Sequence, residues 1–94
     1  MADSEHVTLT ASTVTTVTLD EDYQSLEVVN VDGAAAVYFL VNPGATNPTV
    51  AGDGTIVLPA AIGSFEIHGE VAGSGATVVK LISTGTPKVA VHGW

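Results

Sequence analysis

Apolar and polar residues alternate along several short stretches of this chain, as they do in strands with one buried face. The strongest turn signal is Asp32-Gly33, because a two-residue type I′ turn needs positive φ at both central positions and Asp-Gly tolerates it. A hairpin folded there would carry Glu27 opposite Tyr38 on its outer face. Its apolar face would pair Leu26 with Phe39 and Val28 with Val37.

The same alternation predicts a second hairpin around the loop 71–75, centred on Gly73. Its outer face would place Glu66 directly opposite Lys80. An opposite-charge pair in the same register as two apolar pairs strengthens the prediction. The two apolar pairs are Phe65 with Leu81 and Ile67 with Val79.

The remaining segments fit short strands, and no window has the 3.6-residue apolar period of a long helix. Further strands are expected at 6–10, 14–19, 55–58 and 87–92, with Gly- and Pro-containing turns between them. Seven to eight short strands predict an all-β fold, a single antiparallel β-sandwich or a barrel-like domain.

The N-terminal segment is expected to differ from the rest of the chain. Three of its first five residues, Asp3, Ser4 and Glu5, are polar, while Val7 and Leu9 alternate with threonines as an edge or exchanged strand would. We therefore divide the chain into an N-terminal arm or edge strand, residues 1–12, and a β-sandwich domain, residues 13–94.

Composition points to association with protein. Hydrophobic residues make up 46% of the chain and charged residues 13%, whereas an ordinary soluble domain carries about 25% charged residues. A single domain of 94 residues has too much surface to hide that apolar content alone. We expect part of it to contact further copies in a homo-oligomer or a larger assembly.

The negative net charge argues against two other classes of partner. The net charge is −8 and there is no arginine, so neither nucleic acid nor an anionic membrane is an expected partner. The acidic start, residues 1–5, is unlike a signal peptide, and no apolar run reaches the roughly 18 residues of a membrane span. These features indicate a chain that is made and assembled in a cytoplasm.

Two candidate metal sites have simpler explanations. Asp20-Glu21-Asp22 could ligate calcium, with Asp32 or Asp53 in support, but a solvated acidic turn explains the triplet as well. The three histidines could meet across a symmetry axis around a metal, although isolated surface histidines are far commoner. They are His6, His68 and His92.

Catalytic and glycan-binding signals are equally weak. Glu66 and His68 share one strand face, so an acid–base pair is conceivable, but no nucleophile or arginine accompanies them. The residues Tyr23, Tyr38 and Trp94 could form a sugar-stacking platform, although a terminal tryptophan more often covers an apolar edge or an interface. We expect a chain that is not an enzyme and takes no cofactor.

Several segments between residues 24 and 91 resemble small virion proteins of tailed phages. They are 26–33 (LEVVNVDG), 36–39 (AVYF), 48–54 (PTVAGDG), 58–59 (LP), 78–83 (VVKLIS) and 85–87 (GTP). Such proteins are often capsid decoration, or cement, subunits that sit as oligomers on the outer shell, while related β-sandwiches serve in tails and fibres.

The resemblance implies a structural virion protein that binds the outer surface of a phage capsid and stabilises the shell. Its implied partners are the major capsid protein and further copies of itself, with a trimer favoured, and its implied location is the virion surface after assembly in the host cytoplasm. The alternative is a phage tail or fibre β-module, with host-glycan binding as one form of it. The candidate interface residues are Val7, Leu9, Tyr38 and Trp94.

Overall fold

The computed structural model describes residues 3–20, 23–50, 52, 54–68 and 77–94, with the backbone alone at residue 68. None of these residues belongs to a helix with the length and apolar character that a membrane crossing needs. The described residues form eight strands: β1 (Asp3–Thr8), β2 (Thr15–Thr18), β3 (Ser25–Asn30), β4 (Val37–Val41), β5 (Ile56–Leu58), β6 (Gly63–His68), β7 (Val78–Ile82) and β8 (Lys88–Gly93).

The strands form two four-stranded antiparallel sheets packed face to face. Sheet A has the order β1-β8-β3-β6 and sheet B the order β2-β7-β4-β5. The prediction of an all-β antiparallel sandwich of seven to eight strands is therefore confirmed. The core lies between the sheets and includes Leu26 and Val28 of sheet A and Val37 and Phe39 of sheet B.

Consecutive strands mostly lie in different sheets. Among the eight described strands, β4 and β5 are the one pair of chain neighbours that are also hydrogen-bonded neighbours. Every other connection carries the chain from one sheet to the other. This connectivity lets each sheet be assembled from strands that are distant in sequence, with β3 between β6 and β8 and β7 between β2 and β4.

The hairpin predicted at Asp32-Gly33 is wrong in its pairing. Because β6 and β8 occupy both edges of β3, β4 has no free edge of β3 to join and pairs with β5 and β7 instead. The assignment of faces is correct, since the four apolar residues are buried and Glu27 and Tyr38 are half-buried on the outside. Those apolar residues meet across the core rather than along one sheet.

The second predicted hairpin is also wrong. Phe65 and Ile67 lie opposite Val28 and Leu26 of β3, and Glu66 lies opposite Glu27 rather than Lys80. The predicted loop, residues 71–75, falls outside the described residues. Lys80 pairs with Thr16 and Leu40 in sheet B, and its Nζ donates to the carbonyl oxygen of Gly44 at 2.8 Å and to Asn47 Oδ1 at 3.2 Å.

A buried amide holds the turn that replaces the predicted hairpin. Asn30 is fully buried, and its Nδ2 donates to the carbonyl oxygens of Ala35 at 2.9 Å and Pro59 at 3.0 Å. Its Oδ1 accepts the backbone N–H of Gly33 at 3.1 Å. The φ of Gly33 is +66°, and a Cβ there would lie 2.8 Å from the backbone nitrogen of Ile62. The side chain of Asn30 thus forms hydrogen bonds with three backbone groups at the point where the chain passes from β3 in sheet A to sheet B.

Residues between strands complete the core. Leu9, Leu19 and Tyr23 are buried although none of them belongs to a strand. Gly93 makes room for two of them, because a Cβ at this position would lie 2.6 Å from Tyr23 Cδ2 and 2.7 Å from Leu19 Cδ1. The backbone N–H of Tyr23 donates to Thr77 Oγ1 at 3.0 Å, which ties the β2–β3 connection to the start of β7.

The two phenylalanines contribute unequally to stability. Their rings contact each other edge to face with centroids 6.0 Å apart, but Phe39 is fully buried and Phe65 is 40% exposed at the edge of sheet A. We expect Phe39→Ala to lower the free energy of unfolding by about 3–5 kcal/mol, and Phe65→Ala by about 1–2 kcal/mol. Urea denaturation of both variants measures the difference, and equal losses would contradict the edge position of Phe65.

Replacing the amide of Asn30 by a carboxyl should destabilise the domain in a pH-dependent way. In Asn30→Asp the ionised carboxylate cannot donate to Ala35 and Pro59, so we expect a loss of about 3 kcal/mol at pH 7. Burial raises the pKa of the new carboxyl in the folded state, so the loss is complete above that pKa and shrinks as the pH falls toward about 4.

Denaturant melts at several pH values test this expectation, with the exposed substitution Gln24→Glu as a control for the added charge. A loss for Asn30→Asp that stays constant between neutral and acidic pH would show that the carboxyl reaches solvent.

Candidate functional site

The outer surface of sheet B carries an unusual apolar patch. Tyr38 lies opposite Val57 of β5 on one side and Ile82 of β7 on the other, and Leu40 follows on the same face of β4. Val57 is 49% exposed, Tyr38 and Leu40 are half-buried, and Ile82 is buried by its neighbours. We call these four residues the outer apolar face.

This patch exists because β4 is apolar on both sides. Its sequence is VYFLV, so the residues that alternate with the buried Val37 and Phe39 are apolar too. Antiparallel sheets usually present a polar face to water, and strands that are apolar on both faces are usually covered on both. The outer apolar face is therefore a candidate contact surface.

Sheet B has almost no charge. Lys80 is the one charged residue in its described strands, and the hydrogen bonds from Lys80 Nζ to Gly44 and Asn47 hold the ammonium group at the loop 42–50. Lys80 lies opposite Leu40 on this face, and the exposed apolar area is that of Tyr38, Leu40 and Val57, because Ile82 is already buried. Tyr38 and Val57 lie further along the sheet than Lys80, so a partner can cover them without burying this charge.

The outer surface of sheet A is polar by comparison. Glu27 lies between Glu66 of β6 and His92 of β8, and the rings of His92 and His6 contact edge to face with centroids 6.0 Å apart. Like charges on directly opposite residues, as at Glu27 and Glu66, destabilise a sheet slightly. The two faces of the sandwich thus differ in chemistry, one apolar and one acidic.

The predicted interface residues do not form one surface. Val7 is half-buried on β1 and Leu9 is 1% exposed in the core, so the side chain of Leu9 is not accessible to a partner while the sandwich is intact. Trp94 is 47% exposed and exchanges two backbone hydrogen bonds with Ser25 at the end of sheet A. Tyr38 lies on sheet B, and of the four it is the one within the outer apolar face.

The aromatic platform suggested by the sequence is not assembled. Tyr23 is 4% exposed in the core, and its hydroxyl donates to Asp20 Oδ1 in a short hydrogen bond. Tyr38 and Trp94 belong to different sheets. No common plane of three aromatic rings is therefore available to a sugar.

The candidate metal ligands are dispersed in the part of the chain that the structure describes. His6 and His92 lie together, but no group of three or more potential ligands is found among the described residues. Residues 21, 22 and 53 and the side chain of residue 68 lie outside that part, so the calcium, three-histidine and acid–base hypotheses stay predictions. Asp32 Oδ1 accepts the backbone N–H groups of Ala34 and Lys88, which is a structural role.

Sequence reasoning identified one residue of the outer apolar face and missed three. Tyr38 was predicted to face outward, whereas Leu40, Val57 and Ile82 were not identified. A signal for Leu40 was present in the uninterrupted apolar run VYFLV. Val57 and Ile82 join the patch only through strand pairing, which the hairpin predictions misplaced.

Comparison with family models, curated proteins and solved structures found no match for this chain.

The outer apolar face should contribute little to folding. We expect Tyr38→Ala to cost about 1 kcal/mol or less, because it removes cross-strand contacts with Val57 and Ile82 but opens no cavity. Chemical denaturation measures the change against Phe39→Ala in the same strand. A loss for Tyr38→Ala as large as that for Phe39→Ala would contradict the assignment of the two faces.

Proposed function

We propose that this chain is a structural virion protein that binds the outer surface of a phage capsid and stabilises the shell. The observation that carries the proposal is the outer apolar face of Tyr38, Leu40, Val57 and Ile82 on an otherwise acidic domain. The choice of a capsid as partner comes from the resemblance of residues 24–91 to small phage virion proteins.

Leaving this face exposed to water is energetically unfavourable. Burial of apolar surface is worth roughly 25 cal/mol per Å², so covering several adjacent apolar side chains is a strong driving force for association. The four residues of the patch are uncharged, and the ammonium group of Lys80, opposite Leu40, is held at the loop 42–50. An apolar patch on the outer surface of a sheet suits a broad protein surface better than it suits a small molecule, which binds in concave pockets.

The two faces suggest an orientation on the shell. The outer apolar face would lie against the major capsid protein, and sheet A, with Glu27 and His92, would face solvent. The net charge of −8 would keep decorated particles apart in solution. A binding role of this kind requires no cofactor and no catalytic group.

We propose further that the chain acts as a homo-oligomer, with a trimer favoured by the resemblance. Light scattering of the purified protein should then give a mass of three times the 9.5 kDa of one chain. A single-chain mass at high concentration, together with no binding to expanded capsids, would contradict the proposal.

Copy number separates this function from its main alternative. A shell decoration protein should be present in hundreds of copies in particles of the phage that encodes it, whereas a tail or fibre module should be present in few. Quantitative mass spectrometry of purified particles measures the number. A count of a few copies per particle would favour the tail module, and absence from the particles would reject both.

A matched pair of variants tests the docking face. We expect Val57→Glu to reduce retention on capsids about tenfold, equivalent to about 1.4 kcal/mol, because it buries a carboxylate in the contact. Val31→Glu is the control, since Val31 is similarly exposed, at 40%, next to sheet A. Binding assays with recombinant protein and particles that lack it give the comparison, and equal losses for both variants would reject the outer apolar face as the contact.

A further inference from the structure

A groove runs between the edge strands β1 and β2. Its volume is about 310 Å³, and it is lined by Glu5, His6 and Val7 on one side and by residues 16–18 of β2 on the other. The turn 9–14 closes one end, and a hydrogen bond from the backbone N–H of Asp20 to Asp3 Oδ2, at 3.1 Å, closes the other. The groove is therefore an extended slot bounded by two strands.

Both walls of the slot present backbone groups that no described strand uses. The backbone N–H of Leu9 donates to the carbonyl oxygen of Pro87, and in an antiparallel pair every second residue along β1 makes such bonds. The backbone groups of residues 3, 5 and 7 therefore face β8, and those of His6 and Thr8 point to the free edge of the sheet. In β2 the same alternation directs the backbone N–H and C=O groups of Thr16 and Thr18 toward the free edge of sheet B, away from β7. Among the described residues, β1 pairs only with β8 and β2 only with β7.

The side chains of β1 determine which kind of peptide segment would fit the slot. Its inward positions are Asp3, Glu5 and Val7, so the slot is acidic toward Asp20 and apolar toward the turn 9–14. Its described lining contains no lysine or arginine. A strand added beside β1 would place alternate side chains opposite Val7 and Glu5, and these should be apolar and basic respectively.

We propose that the slot between β1 and β2 binds an extended segment of a partner protein, which joins sheet A beside β1 with an apolar residue opposite Val7 and a lysine or arginine opposite Glu5. We place the segment on β1 because that strand has six residues and β2 has four. This segment does not need the capsid proposal, since the outer apolar face lies on β4, β5 and β7, whereas the slot lies at the edges formed by β1 and β2.

A short peptide tests the proposal directly. The probe is the acetylated and amidated hexapeptide Thr-Val-Thr-Lys-Thr-Lys, which in antiparallel register sets valine opposite Val7 and lysine opposite Glu5. Nuclear magnetic resonance titration of the full chain should show binding, and hydrogen exchange at the amides of His6 and Thr8 should slow by about tenfold or more. A peptide with proline in place of the middle threonine lacks the donor that pairs with His6 and should not protect these amides.

Charge reversal provides the second measurement. At low salt we expect Glu5→Lys to lower the affinity for the lysine peptide about fivefold or more. The same variant should raise the affinity for a peptide with glutamate at both lysine positions. Glu27→Lys makes the same charge change on the outer surface of sheet A and should shift the two affinities much less. Amide signals that stay as well dispersed in the spectra of both variants as in the unaltered protein show that the variants are folded.

Three results would overturn the proposal. One is no binding of the lysine peptide at millimolar concentration, and another is binding that Glu5→Lys and Glu27→Lys affect equally. The third is protection of the amides of His6 and Thr8 that rises with protein concentration in the absence of peptide, because it would assign the slot to a second copy of this chain.

Discussion

The structure depends on the side chain of Asn30, because it fixes the point at which the chain leaves one sheet for the other. A buried amide with three hydrogen bonds to Gly33, Ala35 and Pro59 holds the β3–β4 turn against the β5–β6 connection. Removing one partner from such a network leaves buried groups unsatisfied, which costs more than the bond itself contributes. The amide therefore stabilises the crossing that carries the chain from β3 in sheet A to β4 in sheet B, the two sheets whose outer faces differ in chemistry.

The sequence predicted the fold class and the faces of the strands but not their pairing. The direction of side chains is local, since it follows from the two-residue period, and the inward positions of Leu26, Val28 and Phe39 were correct for that reason. Pairing is not local. The Asp32-Gly33 signal identified a real positive φ at Gly33, but β6 and β8, which are distant in sequence, occupy both sides of β3, so β4 lies in the other sheet.

The same difference explains what could be predicted of the candidate site. That Tyr38 points outward follows from its neighbours in sequence, whereas its contact with Val57 and Ile82 depends on which strands adjoin β4. Leu9 shows the same limit, since its alternation with threonines suggested an edge or exchanged strand, whereas its side chain packs in the core just beyond the end of β1. The two-residue period continues through Leu9, which lies on the same inward side as Val7 and donates its backbone N–H to the carbonyl oxygen of Pro87, but the period alone does not show whether that side is covered.

The carboxylates of β1 can have two roles at the edge of sheet A. Edge strands tend to associate with one another, and natural proteins limit this with short strands, prolines and inward-pointing charges. β5 has three residues and is followed by Pro59, while β1 carries Asp3 and Glu5 on its inward positions. A second β1 placed against the first would bring these carboxylates near those of its neighbour. A basic segment would neutralise them, so the charges that oppose self-association at this edge also select the partner that it can accept.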